Sequence, residues 1–236
     1  MKHVPNDDVS RETISLGRQG VARLDRRALD PLLARLGVRF SEEQRSVLDR
    51  FAAWLCTEAV AAGAIGPSEV PRIFDRHIAD SLVYLAGLES GVRSTGVTSI
   101  VDVGSGVGLP GIPLAIARPS CHVTLVDRSS KRSELSQRVV RILGLENVEV
   151  RTAEANRIAD RFEGVVFRAS LPVVGATAAF LTLGSLDSVG VFGLSRRHER
   201  PEVPVAPDGV AYHLSCEGDG VLDSPAWLLR MQRTHT

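Results

Sequence analysis

An α/β fold built on a mainly parallel sheet follows from three observations on this 236-residue sequence. From Val97 onward, short β-branched runs alternate with helical stretches, the order that right-handed βαβ crossovers produce. The first run, residues 100–103, breaks at once into four glycines, Gly104, Gly106, Gly108 and Gly111. Ahead of it, apolar residues recur at helical spacing, which predicts a helical appendage before the sheet.

Taken in order, residues 1–24 are polar, carry Pro5, Gly17 and Gly20 and show no sustained period, so they read as a tail. Residues 25–95 form the N-terminal helical region. Leu29, Leu32, Leu33 and Leu36 follow the i, i+3, i+4, i+7 pattern and stop at Gly37. Ser41 then opens SEEQ, a capping box for a helix that buries Leu48, Phe51 and Leu55 and ends near Gly63. After a loop at Gly66, Pro67 and Ser68, residues 70–88 read as one further helix, with Ile73, Phe74, His77, Ile78 and Leu82 on one side.

Residues 96–236 form the sheet domain. Strands are expected at 100–103, 122–126, 147–151, 164–167 and 189–194, with helices at 111–117, 129–143 and 172–183. Prolines 201, 204 and 207 then mark a connection to an antiparallel C-terminal hairpin, residues 210–215 and 227–233.

Composition narrows the function class. Twenty-eight basic residues balance 28 acidic ones, so no global field draws the chain to nucleic acid and any basic surface is local. No apolar run approaches the ~18 residues of a membrane span, and the polar start lacks a signal peptide's apolar region. The expectation is a cytoplasmic protein with no membrane partner. Cys56, Cys121 and Cys216 lie far apart without metal-ligand spacing, which predicts buried thiols and no metal.

The glycine loop carries the chemistry. In an open α/β sheet, ligands sit beyond the carboxyl ends of the strands, at the loop after the first. Gly106-Val-Gly108-Leu-Pro-Gly111 is literally a G-x-G-x-x-G pattern. In a dinucleotide site, however, the first glycine follows the strand directly, which selects Gly104 and meets Leu109 where the third glycine belongs. Asp102 at the strand end would also repel a pyrophosphate. The D-x-G-x-G-x-G pattern therefore favours S-adenosylmethionine over NAD. Asp127, closing VTLVD, is placed either to accept both hydroxyls of a ribose or to cap the helix from Ser129.

DVGSGVGLPGIPLAIARP, VTLVDRSSKRSELSQRV, LGLENVEV and the upstream RHIADSL resemble the RsmG (GidB) family over roughly residues 72–172. The resemblance implies a class I S-adenosylmethionine-dependent methyltransferase with a Rossmann-like fold, methylating N7 of a guanosine in 16S ribosomal RNA. It implies cofactor contacts at Gly104, Gly106 and Leu109, Asp127 at the ribose, Ala155 and Asn156 beside the adenine, and Arg168 after the fourth strand. The expected partner is 16S rRNA or the 30S subunit, bound by a monomer. Guanine N7 carries an in-plane lone pair and no proton, so no catalytic triad is expected. Arg168, Lys131 and Arg132 are the candidates for orienting substrate or cofactor, since arginine forks onto guanine O6 and phosphate. His77 reads as a packing or hydrogen-bonding residue rather than a base.

Three features depart from the family pattern: AVAAGAIGPSEV replaces an asparagine-leucine-threonine segment, Ala155-Asn156 replaces an aliphatic-glutamate pair, and GLSRRHER replaces a lysine-glycine pair. Arg196 and its neighbours read either as a substitute for the lysine's charge or as a solvated turn. These departures leave two alternatives: a relative that binds the cofactor but has lost RNA methylation, or a methyltransferase on another substrate.

Overall fold

The computed structural model describes residues 27–89 and 96–234; the expected tail lies outside the described residues. Its centre is a seven-stranded sheet: β1 (Ser99–Val103), β2 (His122–Asp127), β3 (Val148–Thr152), β4 (Phe162–Arg168), β5 (Gly184–Arg196), β6 (Val210–Glu217) and β7 (Ala226–Arg233). The spatial order is β3-β2-β1-β4-β5-β7-β6. Strands β1 to β5 are parallel, and β7 runs antiparallel between β5 and β6. Strand order reverses between β1 and β4, so the ligand-binding crevice of such a sheet opens at their carboxyl ends.

Seven α-helical segments and their irregular neighbours cover the faces among the described residues: α1 (Leu29–Arg35), α2 (Glu42–Trp54), α3 (Asp80–Leu82), α4 (Tyr84–Glu89), α5 (Gly111–Ala117) and α6 (Ser130–Leu143) on one face, with α7 (Val173–Leu183) on the other. Alternation along the strands divides the core accordingly. Ile100, Val123, Leu125 and Val191 pack beneath the N-terminal helices with Phe51, Phe74 and Leu82. Val101, Val103, Phe167 and Phe192 face α7 and its Phe180. The expected capping box is present: Ser41 Oγ accepts from Gln44 N–H at 3.1 Å and Gln44 Oε1 accepts from Ser41 N–H at 2.8 Å.

The expected single helix at 70–88 is instead a 3₁₀ turn (Pro67–Arg72), a π-helical stretch (Ile73–Ala79), then α3 and α4. Pro71 explains the break, because a proline inside a helix lacks the N–H and clashes one turn back. Strand β5 also outruns the expected 189–194: Gly184 pairs with Phe162 beside an irregularity in register, and Arg196 pairs with Ala226 of β7. All three cysteines are free; Cys121 is buried as expected, whereas Cys56 and Cys216 are only half-buried.

Candidate active site

The loop after β1 is held from both sides. Gly104 and Ser105 N–H both donate to the Val126 carbonyl, at 2.7 and 3.1 Å, and Ser136 Oγ donates to the Gly106 carbonyl at 2.8 Å. Its glycines serve different ends. A Cβ at Gly104 would collide with Ser170 and one at Gly111 with Leu125 and Asp102, so those positions are small because the protein's own packing requires it. Gly106 alone combines a left-handed φ of 58° with open space where a side chain would stand. The loop's ligand-facing cradle is therefore narrower than four glycines suggest.

The two strand-end carboxylates do different work. Asp102 is fully buried, and its Oδ2 accepts from Gly111 N–H at 2.8 Å while Oδ1 has no partner. Burial pushes its pKa up to about 7, against the lowering effect of the Gly111 hydrogen bond and the Arg168 charge. Asp102 braces the start of α5 and does not line the adjoining cavity. Asp127 accepts from Gly106 N–H at 3.0 Å and from Ser129 N–H at 2.8 Å. The helix cap is Ser129 itself, whose side chain accepts from Arg132 N–H. Asp127 thus ties β2 to the glycine loop, with lone pairs left for a hydroxyl donor.

A cavity of about 460 Å³ opens at this edge, the size class that takes cofactors. It is lined by Gly104, Gly106 and Leu109 of the loop and by Lys131 and Arg132 of α6. Arg168 and Ala169 after β4 close another side, and His77 with Ala62–Ile65 closes the N-terminal side. Of the sequence-derived site residues, Gly104, Gly106, Leu109, Lys131, Arg132 and Arg168 therefore converge. Asp127 stands behind the loop, while Ala155 and Asn156 begin a 3₁₀ turn after β3 and are not in the lining.

Arg168 is both lining and brace. Its Nε donates to Asp80 Oδ2 at 3.0 Å and its Nη2 to the Arg76 carbonyl at 2.9 Å, joining β4 to the N-terminal helices. Arg196 contradicts the reading as a solvated turn: its side chain is 7% exposed and forks onto Asp75 at 2.9 and 3.2 Å, with Asp223 as a further partner. His77 is largely buried with neither ring nitrogen hydrogen-bonded. Glu69 lies 3.6 Å from Nε2, but burial first, then Arg168 and Arg76, lower the imidazole to about 4, so the pair is not ionic at neutral pH.

Three features escaped the sequence reading. Ala62–Ile65, in the segment that departs from the family pattern, lines the cavity. Ala169 holds a left-handed φ of 51°, the one non-glycine case among the described residues. Asp75 and Asp223 enclose Arg196 from distant parts of the chain. Only the first had a local signal, the run of small residues around Gly63.

A family model described as rRNA small subunit methyltransferase G (GidB) matches residues 44–192. Curated relatives named Ribosomal RNA small subunit methyltransferase G include one from Mycobacterium sp. (strain KMS), 41% identical over 61% of this chain and 58% of its own. Another from a Nocardioides species is 37% identical over 75% of this chain and 67% of its own, and one from Pseudarthrobacter chlorophenolicus is 33% identical over 77% and 85%. The chain thus spans under two thirds of the length of the Mycobacterium relative. Among solved structures, MtNAS in complex with MTA and tNA superposes with a TM-score of 0.53 at 14% identity, covering 96% of this chain and 99% of that one. A putative methyltransferase, yhhF from Escherichia coli, gives 0.51 at 14% identity over 68% and 90%.

Proposed function

The chain belongs to the rRNA small subunit methyltransferase G (GidB) family, and on that premise we propose that it transfers a methyl group from S-adenosylmethionine to N7 of a guanosine in 16S ribosomal RNA. Its fold is that of the class I, Rossmann-like methyltransferases. The observation that carries the proposal is the 460 Å³ cavity, which gathers the Gly104–Gly106–Leu109 loop, two cations of α6 and Arg168 at the switch point of the sheet.

The residues fit the cofactor. Gly106 leaves open space where backbone must approach a ligand, and Asp127, 4% exposed behind the loop, retains acceptor capacity for ribose hydroxyls. Leu109 supplies an apolar wall. Ala155 and Asn156, at the carboxyl end of β3, are assigned to the adenine through backbone contacts, since neither offers a carboxylate. When bound, the cofactor supplies an electrophilic methyl on a positively charged sulfur.

Held by the Gly104–Gly106–Leu109 loop and Asp127, the cofactor would supply its methyl to N7, whose in-plane lone pair carries no proton that a side chain would have to remove. The chain therefore needs no general base; its task is to align the acceptor and exclude water, from which several orders of magnitude in rate are available. A neutral His77 at the cavity wall adds no further positive charge to the cations Lys131, Arg132 and Arg168 that already line it.

In this reading the protein acts in the cytoplasm as a monomer on 16S rRNA or the 30S subunit, without a metal. No helix of the described residues is long and apolar enough to cross a membrane. Residues 25–95 and 96–236 serve as the helical wall and the cofactor-binding body of one site. Methyl transfer from labelled S-adenosylmethionine onto 30S subunits and onto naked 16S rRNA tests the assignment. Label appearing as N7-methylguanosine supports it, and cofactor binding without such transfer refutes it.

A further inference from the structure

A second cavity, about 140 Å³, lies against the first and shares Arg168 and Ala169 with it. We propose that this smaller cavity receives the acceptor base, stacked on Trp227 beside the Arg168–Asp80 ion pair; the inference rests on the methyltransferase reading above and assigns the place of its substrate.

Position comes first. The cavity opens at the carboxyl ends of β4 and β5 and the start of β7, with Leu194, Ser195 and Trp227 around it. The larger cavity occupies the ends of β1 and β4, so the segment Arg168–Ala169 is the partition between the two. That partition is strained. Ala169 is held at φ 51°, and a non-glycine residue kept in the left-handed region costs of order 1 kcal/mol or more, which surrounding structure must sustain. Here the backbone is bent at the one place where two ligands would have to meet.

Size and chemistry follow. A closed apolar cavity of about 150 Å³ is known to accommodate a benzene ring, so one of 140 Å³ takes about one ring of a purine, with the rest of the base at its open mouth and the sugar and phosphate outside. Trp227 is half-buried, and its Nε1 donates to the Arg197 carbonyl at 2.9 Å, which fixes the indole plane before any ligand arrives. A fixed aromatic plane beside a slot is the element that single-stranded nucleic acid stacks upon.

The polar groups select among bases. Arg168 uses Nε and Nη2 internally, and among the described residues its Nη1 makes no hydrogen bond. Asp80 gives Oδ2 to Arg168, while its Oδ1 stands 3.9 Å from Arg196 Nε. Guanine presents O6 as an acceptor on the edge that carries N7, and N1–H with the N2 amino group as donors on another edge. A guanidinium for O6 and a carboxylate for the donors match it. Adenine, with an amino group in place of O6, would set a donor against Arg168. The N7 edge of a guanine so held faces the Arg168–Ala169 partition and the larger cavity beyond it.

The test uses the full chain and 30S subunits lacking the modification. Trp227→Ala, Trp227→Phe and Ser195→Phe are compared for S-adenosylhomocysteine affinity by calorimetry and for KM and kcat of methyl transfer. All three are expected to bind S-adenosylhomocysteine within about twofold of the parent. Trp227→Ala raises KM for the subunits about tenfold or more, Trp227→Phe restores most of it because the stacking plane is retained, and Ser195→Phe, which fills the mouth, removes transfer. If Trp227→Ala and Ser195→Phe both transfer methyl with the parent's KM, the cavity does not hold the base. Should Trp227→Ala fail to fold, Ser195→Phe decides alone. A parent that binds the cofactor and methylates no guanosine overturns the methyltransferase reading, and this inference with it; a parent that does methylate while both variants match it overturns this inference alone.

Discussion

Asp102 and Asp127 end neighbouring strands, and burial separates their roles. Asp102 is fully buried with one hydrogen bond, so desolvation favours its protonated form. Its pKa is about 7 folded against about 3.9 unfolded. The folded state therefore holds the extra proton between those values, and stability falls as pH rises through 7. Asp102→Asn, which cannot ionise, should gain melting temperature relative to the parent between pH 5 and pH 8. A constant gap in thermal melts would contradict the assignment. Asp127→Ala should weaken S-adenosylmethionine binding by about 1 to 3 kcal/mol in calorimetry, since charged hydrogen bonds are lost. The loop glycines divide similarly. Gly104→Ala adds a collision with Ser170 to the strain of a left-handed backbone and should lower the melting temperature more than Gly106→Ala, which bears the strain alone and should in addition weaken cofactor binding.

At the scale of elements, the segment from Pro67 to Glu89 joins the two parts of the site through ion pairs rather than through apolar packing alone. Asp75 and Asp80 project from it onto Arg196 and Arg168, and Asp223 closes the group from the other side. Removing Arg196, 7% exposed, takes the forked partner from Asp75 and leaves it Arg76 at 4.0 Å, whereas Asp80 keeps Arg168 and Asp223 keeps Arg72 and Arg76. Arg196→Ala should therefore cost about 1 to 3 kcal/mol in urea unfolding; a loss under about 0.5 kcal/mol, the size of a surface substitution, would mean that Asp75 finds water instead. Much of this segment was legible beforehand. Its apolar face, Ile73, Phe74, Ile78 and Leu82, is the buried one, because periodicity reports burial. Its helix type was not legible, since Pro71 interrupts a pattern that the side chains alone continue. Nor were the partners of Arg196, because Asp75 is 121 positions away in sequence and no local spacing encodes such a meeting. The glycine loop lay at the other extreme: strand, turn and helix start are contiguous, so its place at the switch point could be read directly, although which glycine faces a ligand could not.

Across the whole molecule, the N-terminal helices and the sheet share one core. Phe51, Phe74, Leu82 and Leu85 pack in the same cluster as Ile100, Leu125 and Val191. Calorimetric unfolding should therefore show a single cooperative transition; two resolved transitions would mean that the helical region folds apart from the sheet. The shared core places His77 and Ala62–Ile65 at the wall of the larger cavity, so the helices are part of the site they flank. With zero formal net charge the chain gains nothing from its overall field in approaching the proposed RNA substrate, so the proposal assigns that task to the cations gathered at that edge, Lys131, Arg132 and Arg168. The most direct test is transfer of labelled methyl from S-adenosylmethionine to unmodified 30S subunits, with the product nucleoside identified. N7-methylguanosine in 16S rRNA is the predicted result, and tight cofactor binding with no label in that RNA would contradict the account.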